Sequence, residues 1–204
     1  MTQIFDNITE TLSPALASSM TESVRLDSSV GYFNIRGWSA LASAVDEMAE
    51  SEDNPKVRLL IGMATRPDEE LRQKLRITGS EAVMDNQTAQ RMRETVLKDL
   101  REQLLIGVPS VRDENTIKTL RRQLHDRHVQ VKLHLAHPLH AKLYLCHSPD
   151  AKDLTVGYVG SSNLTMAGLR TQGELNVDVL DQDATDRLAS WFKERWQDRL
   201  SIDI

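Results

Sequence analysis

Apolar and polar positions alternate with a period of two in several short stretches. Val129, Val131, Leu133 and Leu135 alternate with polar residues, and after Pro138 the run from Leu139 to Leu145 sets Leu139, Ala141, Leu143 and Leu145 against His140, Lys142, Tyr144 and Cys146. Successive side chains of a strand point to opposite faces, so this spacing predicts a strand that buries the first set and displays the second. Further strands are expected within Val24–Ile35, centred on Val30-Gly31-Tyr32-Phe33, and at Val57–Met63, Leu154–Tyr158 and Glu174–Leu180. In the last of these, Glu174, Asn176 and Asp178 alternate with Leu175, Val177 and Val179.

A second spacing, of three and four residues, marks helices. It predicts a short helix over 8–20 (Ile8, Leu12, Leu16) and another carrying Trp38, Leu41, Ala42, Val45 and Met48. A long helix over 89–106 (Met92, Val96, Leu100, Leu104) is closed by Gly107-Val108-Pro109. Asp113 is the expected N-cap of the next helix, with Ile117, Leu120 and Leu124 on its apolar face. A final helix carries Leu188, Trp191, Phe192 and Trp196. Strand, helix and strand between Val24 and Met63 form a β-α-β unit, which calls for a parallel pair near the sheet centre.

Composition narrows the class. The 204 residues are 40% hydrophobic and 27% charged, the make-up of a globular α/β chain with a core of its own. No apolar run reaches membrane-spanning length, no secretion signal opens the chain, and the single cysteine cannot form an internal disulfide. A cytoplasmic protein without membrane contact is expected. The net charge of −5 disfavours a general polyanion binder, so nucleic acid would have to meet a local basic patch. Lys118, Arg121 and Arg122 are the preferred candidates, having less acid nearby than the other clusters.

The chemistry-bearing residues are concentrated between His140 and Glu174. His140 and Lys142 would project side by side from one strand face and share a phosphate. Gly160-Ser161-Ser162-Asn163 reads as the loop leaving the next strand, where glycine allows close backbone approach and Ser161 and Asn163 offer hydrogen bonds to an oxyanion. Glu174 is placed to accept from one His140 ring nitrogen and so fix its tautomer. His134, His137, His140 and His147 do not form a chelate: Pro138 interrupts the run and no helical His pair or second cysteine joins it, so no metal is expected.

Taken together, H-x-K at His140–Lys142, G-S-x-N-L-T at Gly160–Thr165 and a Glu eleven residues after Asn163 resemble the phospholipase D (HKD) superfamily. The match is nearest to its nuclease-like branch, found in metal-independent restriction endonucleases and helicase-associated domains. The resemblance implies an α/β fold, a mixed β-sheet with helices packed on both faces. It implies a two-step displacement without metal or other cofactor, in which His140 attacks phosphorus and forms a phosphohistidine. Lys142 and Asn163 would neutralise the oxyanion, with Ser161 assisting. One departure is plain: the family's Asp, five residues after the Lys, falls on His147, and Glu174 is the expected substitute. A single motif supplies half of a site that the family builds from two, which implies a homodimer.

The expected activity is a phosphodiesterase or nuclease acting on DNA rather than RNA. The alternatives are a catalytically silent nucleic-acid-binding or dimerisation module and, as the weakest, a phospholipid hydrolase. Residues 1–204 are expected to form one phospholipase D-like domain. Its abrupt end after Trp196, Leu200 and Ile202, and an opening that resembles domains preceding helicase motors, suggest the N-terminal part of a larger protein with a helicase downstream.

Overall fold

A computed structural model describes residues 2–50, 55–62, 94, 98, 101, 102, 110–149 and 155–204. Its centre is an eight-stranded mixed sheet. The strands are β1 (Ile4–Phe5), β2 (Arg25–Val30), β3 (Val57–Ile61), β4 (Val129–His134), β5 (Leu143–His147), β6 (Val156–Gly160), β7 (Asn176–Val179) and β8 (Ser201–Asp203). They lie in the order β1-β7-β6-β5-β2-β3-β4-β8. The expected parallel pair is present, with Val30 opposite Ile61, and β4 extends it in parallel on the far side of β3. The β5, β6 and β7 strands run antiparallel to their neighbours.

Both faces are covered. One carries α1 (Leu12–Thr21), α2 (Ile35–Trp38), α3 (Ala42–Glu47) and α4 (Val111–His125). Leu26, Val30, Leu59 and Ile61 point into this layer, as do Tyr144 and Cys146. The other face carries α5 (Gln182–Trp196), whose Phe192 and Trp196 pack on Leu60, Leu143 and Leu145. Hence β5 displays neither of its side-chain sets. Tyr144 and Cys146, expected on an open face, are buried because helices lie on both sides, and burial pushes the Cys146 thiol up to about 12.

Several boundaries differ from the sequence reading, each for a local reason. Asp6 Oδ1 accepts from the main-chain nitrogens of Ile8, Thr9 and Glu10, so this segment is a turn and α1 starts only at Leu12. The stripe from Trp38 to Met48 is split into α2 and α3. Gly37 lies against the Leu164 main chain, where an added Cβ would come within 2.3 Å of the carbonyl oxygen. Asp113 is not the N-cap of α4; Ser110 is, and Asp113 closes a reciprocal capping box as its third residue. Of the expected apolar face of α4, only Leu120 is buried, while Ile117 and Leu124 are exposed. The helix expected over 89–106 falls almost wholly outside the described residues.

The alternation in β7 is inverted with respect to burial. Asn176 and Asp178 face inward while Leu175 stands in solvent. Their polar groups are matched: Asn176 Oδ1 accepts from Ser162 N at 3.2 Å, its Nδ2 donates to Ser162 Oγ at 2.8 Å, and Asp178 Oδ1 accepts from Gln3 N at 2.6 Å. A buried polar side chain with partners of this kind avoids the desolvation cost that otherwise keeps it outside.

Candidate active site

The strand directions bring one set of ends together. The carboxyl ends of β2, β3, β4 and β6 and the amino ends of β5, β7 and β8 lie along a single edge of the sheet. All five candidate site residues are on that edge. His140 and Lys142 precede β5, Ser161 and Asn163 follow β6, and Glu174 precedes β7.

His140 and Lys142 are not on a regular strand, contrary to the sequence reading. From Leu135 to Lys142 the chain crosses the ends of β3 and β2 on its way from β4 to β5, and ladder pairing resumes only at Leu143. Gly62 makes the crossing possible: Leu139 N donates to Gly62 O at 3.2 Å, and a Cβ on Gly62 would lie 2.1 Å from Leu139 O. The two side chains therefore differ in setting. His140 is exposed, whereas Lys142 is 5% exposed and its Nζ donates to the His140 carbonyl at 3.0 Å. Burial lowers the Lys142 pKa, opposed by the nearby Glu174 carboxylate, which favours the charged ammonium.

Glu174 does not orient the His140 ring. It accepts from Ser161 Oγ in a very short hydrogen bond, and Ser161 Oγ in turn accepts from Leu175 N at 2.9 Å. The Ser161 hydroxyl proton is thus directed at the Glu174 carboxylate. Asn163 Oδ1 accepts from Tyr32 N at 2.9 Å, which turns its Nδ2 donors away from that contact. The loop is held from below by Tyr144, whose hydroxyl donates to Ser162 O at 2.9 Å. Burial is the main reason that the Tyr144 hydroxyl resists ionisation, with Glu174 adding to it. Neither Tyr144 nor Tyr32 was singled out in sequence, since their contribution depends on contacts far along the chain.

Two other sequence-derived groups lie elsewhere. Lys118 pairs with Glu114 at 2.7 Å, and Arg122 with Asp46 at 2.5 Å. Helix α4 runs back toward the amino end of β4, so Arg121 and Arg122 lie toward the sheet edge opposite His140. His147 is at the far end of β5. Five residues of extended chain separate it from Lys142, about 17 Å. A carboxylate at that position would not reach the His140 edge. His134 and His137 stack edge to face, with His134 Nδ1 2.9 Å from Ser201 Oγ. Among the described residues, no group of three or more His, Cys, Asp or Glu side chains is placed to hold a metal ion.

This fold is that of a phospholipase D-like domain. The sequence profile described as "cardiolipin synthase, PLD-like domain" matches residues 40–196, more than half of the chain, and the chain belongs to that phospholipase D-like family. Among solved structures, Nuc from Salmonella typhimurium, a phospholipase D family member, is similar with a TM-score of 0.54 at 11% identity, covering 100% of this chain and 97% of Nuc. NucT from Helicobacter pylori gives 0.52 at 11% identity, covering 100% and 99%. A polyphosphate kinase from Porphyromonas gingivalis gives 0.53 at 12% identity over 97% of this chain and 26% of the kinase. No curated protein matches the chain in sequence. At these identities the structural likenesses establish the fold. Among the described residues, no helix is long and apolar enough to cross a membrane.

Proposed function

We propose that the chain is a phosphodiesterase of the nuclease type that hydrolyses DNA through a phosphohistidine on His140, in a site completed by a second copy. The observation that supports this is the gathering of Lys142, Ser161, Asn163 and Glu174 from three strand ends at the edge where His140 is exposed. Fold likeness to Nuc and NucT over nearly their whole length supports the same reading.

The steps follow from the groups present. A His140 ring nitrogen attacks phosphorus, and the bond from phosphorus to the leaving oxygen breaks. That oxygen takes a proton from a second histidine, His140 of the partner subunit. Water then gives its proton to that same histidine and attacks phosphorus, breaking the P–N bond and freeing His140. The Lys142 ammonium and Asn163 Nδ2 offset charge on the non-bridging oxygens. Glu174, aimed by Ser161, favours the charged form of Lys142.

The test is cleavage of single- and double-stranded DNA in EDTA, with acid-quenched trapping of labelled phosphohistidine. Cleavage and label are expected from the wild type and from neither in His140→Ala. Dependence on added divalent cation, or a strictly monomeric active chain, rejects the mechanism. An inert wild type that binds DNA with steep salt dependence identifies a binding module instead.

A further inference from the structure

Tyr32 is 41% exposed at the active-site edge, on main chain that is fixed on both sides. Gly62 N donates to Val30 O at 2.9 Å, Tyr32 N to Asn163 Oδ1 at 2.9 Å, and Asn34 N to Leu164 O at 3.2 Å. Phe33, the next residue, is buried and bridges to Leu164. Tyr32 thus presents its ring outward from a rigid base. Its own main-chain nitrogen holds the carboxamide that offers Nδ2 to a phosphate.

This juxtaposition suits one class of ligand. In a nucleic acid a base and its phosphate hang on the same sugar, so a phosphate at Asn163 carries a base to the neighbourhood of Tyr32. A duplex keeps its base faces stacked and hidden, whereas a single strand exposes them to aromatic side chains. Electrostatics favours the same choice. The chain carries a net charge of −5, and two of the cations of α4, Lys118 and Arg122, are matched by Glu114 and Asp46. Binding built on many phosphate contacts is poorly supported by that distribution, while one stacked base strengthens binding about five- to a hundredfold.

We propose that Tyr32 is a stacking platform for the base beside the phosphate held at Asn163, and that the substrate is single-stranded nucleic acid. The proposal rests on the phosphodiester reading of the site. It is tested by binding, so that the absence of cleavage does not hide the result. In a His140→Ala background, fluorescence anisotropy gives Kd for a short single strand, an abasic strand of equal length, and the duplex.

The natural strand is expected to bind about tenfold more tightly than the abasic one. Adding Tyr32→Ala should bring that ratio close to one, and Tyr32→Phe should preserve it. The proposal is overturned by a ratio that survives Tyr32→Ala, by a ratio near one before Tyr32 is altered, or by tighter binding of the duplex. Loss of the ratio together with loss of the oligomer also overturns it, because Tyr32 would then be an interface residue. If Tyr32→Ala does not fold, Tyr32→Leu, which keeps apolar bulk without a ring, is read in its place. Failure of wild-type cleavage sinks the hydrolytic mechanism but leaves the binding ratio readable.

Discussion

His147 Nε2 lies 2.8 Å from Asp27 Oδ2, at the position where the phospholipase D pattern carries its Asp. Asp27 is 1% exposed and also accepts from Arg58, from Nε at 2.6 Å and Nη2 at 2.5 Å. The Arg58 guanidinium lies over the Phe192 and Trp196 rings of α5. The carboxylate missing from β5 is thus supplied by β2, with the imidazole and guanidinium around it. This cluster joins β2, β3, β5 and α5 at the edge away from His140, so its contribution is to folding.

Asp27→Asn is therefore expected to cost stability, about 3–5 kcal/mol, because it leaves the largely buried Arg58 guanidinium without its counter-charge. Burial alone would raise the Asp27 pKa, but the hydrogen bonds and charges of His147 and Arg58 hold it below the ordinary 3.8. A carboxyl depressed in the folded state contributes stability that is complete above its unfolded value and lost as pH falls through the folded one. Urea midpoints taken from pH 5 down to pH 2 should decline in the wild type and show a flatter decline in Asp27→Asn. Equal slopes in the two proteins would remove Asp27 from the acid transition.

Replacing His147 with the family's usual residue should harm the protein. His147→Asp sets a second carboxylate against Asp27, where two negative charges share a buried site, and about 3 kcal/mol of destabilisation is expected. No gain in phosphodiesterase activity should accompany it, since the position is far from Lys142. A variant both stable and more active would show that the far end of β5 is coupled to the site.

Six of the eight strands and the parallel pair were legible in sequence from their apolar patterning, but the short edge strands β1 and β8 were not, and β2 lies at Arg25–Val30 rather than centred on Val30–Phe33. Alternation misled where both faces of a strand are covered, as at Tyr144 and Cys146, and where satisfied polar groups turn inward, as at Asn176 and Asp178. Periodicity carries no information about which helices lie over a strand. The five site residues were identified as a motif, and the structure places them on one sheet edge. Their internal wiring was not legible: Glu174 to Ser161 and Asn163 to Tyr32 are contacts set by loop paths. Nor was the pairing of Arg122 legible, because Asp46 is remote in sequence from α4, whereas Lys118 pairs with Glu114 one helical turn away.

Gly62 is expected to be sensitive for catalysis more than for folding. A Cβ there would sit 2.1 Å from Leu139 O and 2.5 Å from Leu139 Cβ, so Gly62→Ala must displace the crossing segment that carries His140. A shift of about 1 Å at a nucleophile costs on the order of a hundredfold in rate. The stability loss should remain about 1–3 kcal/mol, as for other overpacked sites. Parallel melts and kcat measurements check this. A melt shift without a kcat change would mean that the crossing segment yields without moving His140.

Glu174→Gln tests whether the carboxylate acts through Lys142. Burial lowers the Lys142 pKa, and Glu174 offsets part of that effect by favouring the ammonium. Glutamine retains an acceptor for Ser161 Oγ but not the charge. With the charge gone the Lys142 pKa should fall further, and the ammonium proposed to hold the phosphate should be lost at a lower pH. The alkaline limb of the pH–rate profile is therefore expected to move toward neutrality, with KM rising first on that side, while the acid limb stays in place. A merely structural role for Glu174 would lower activity evenly across the profile. An alkaline limb that stays where it was, or moves upward, would separate Glu174 from Lys142.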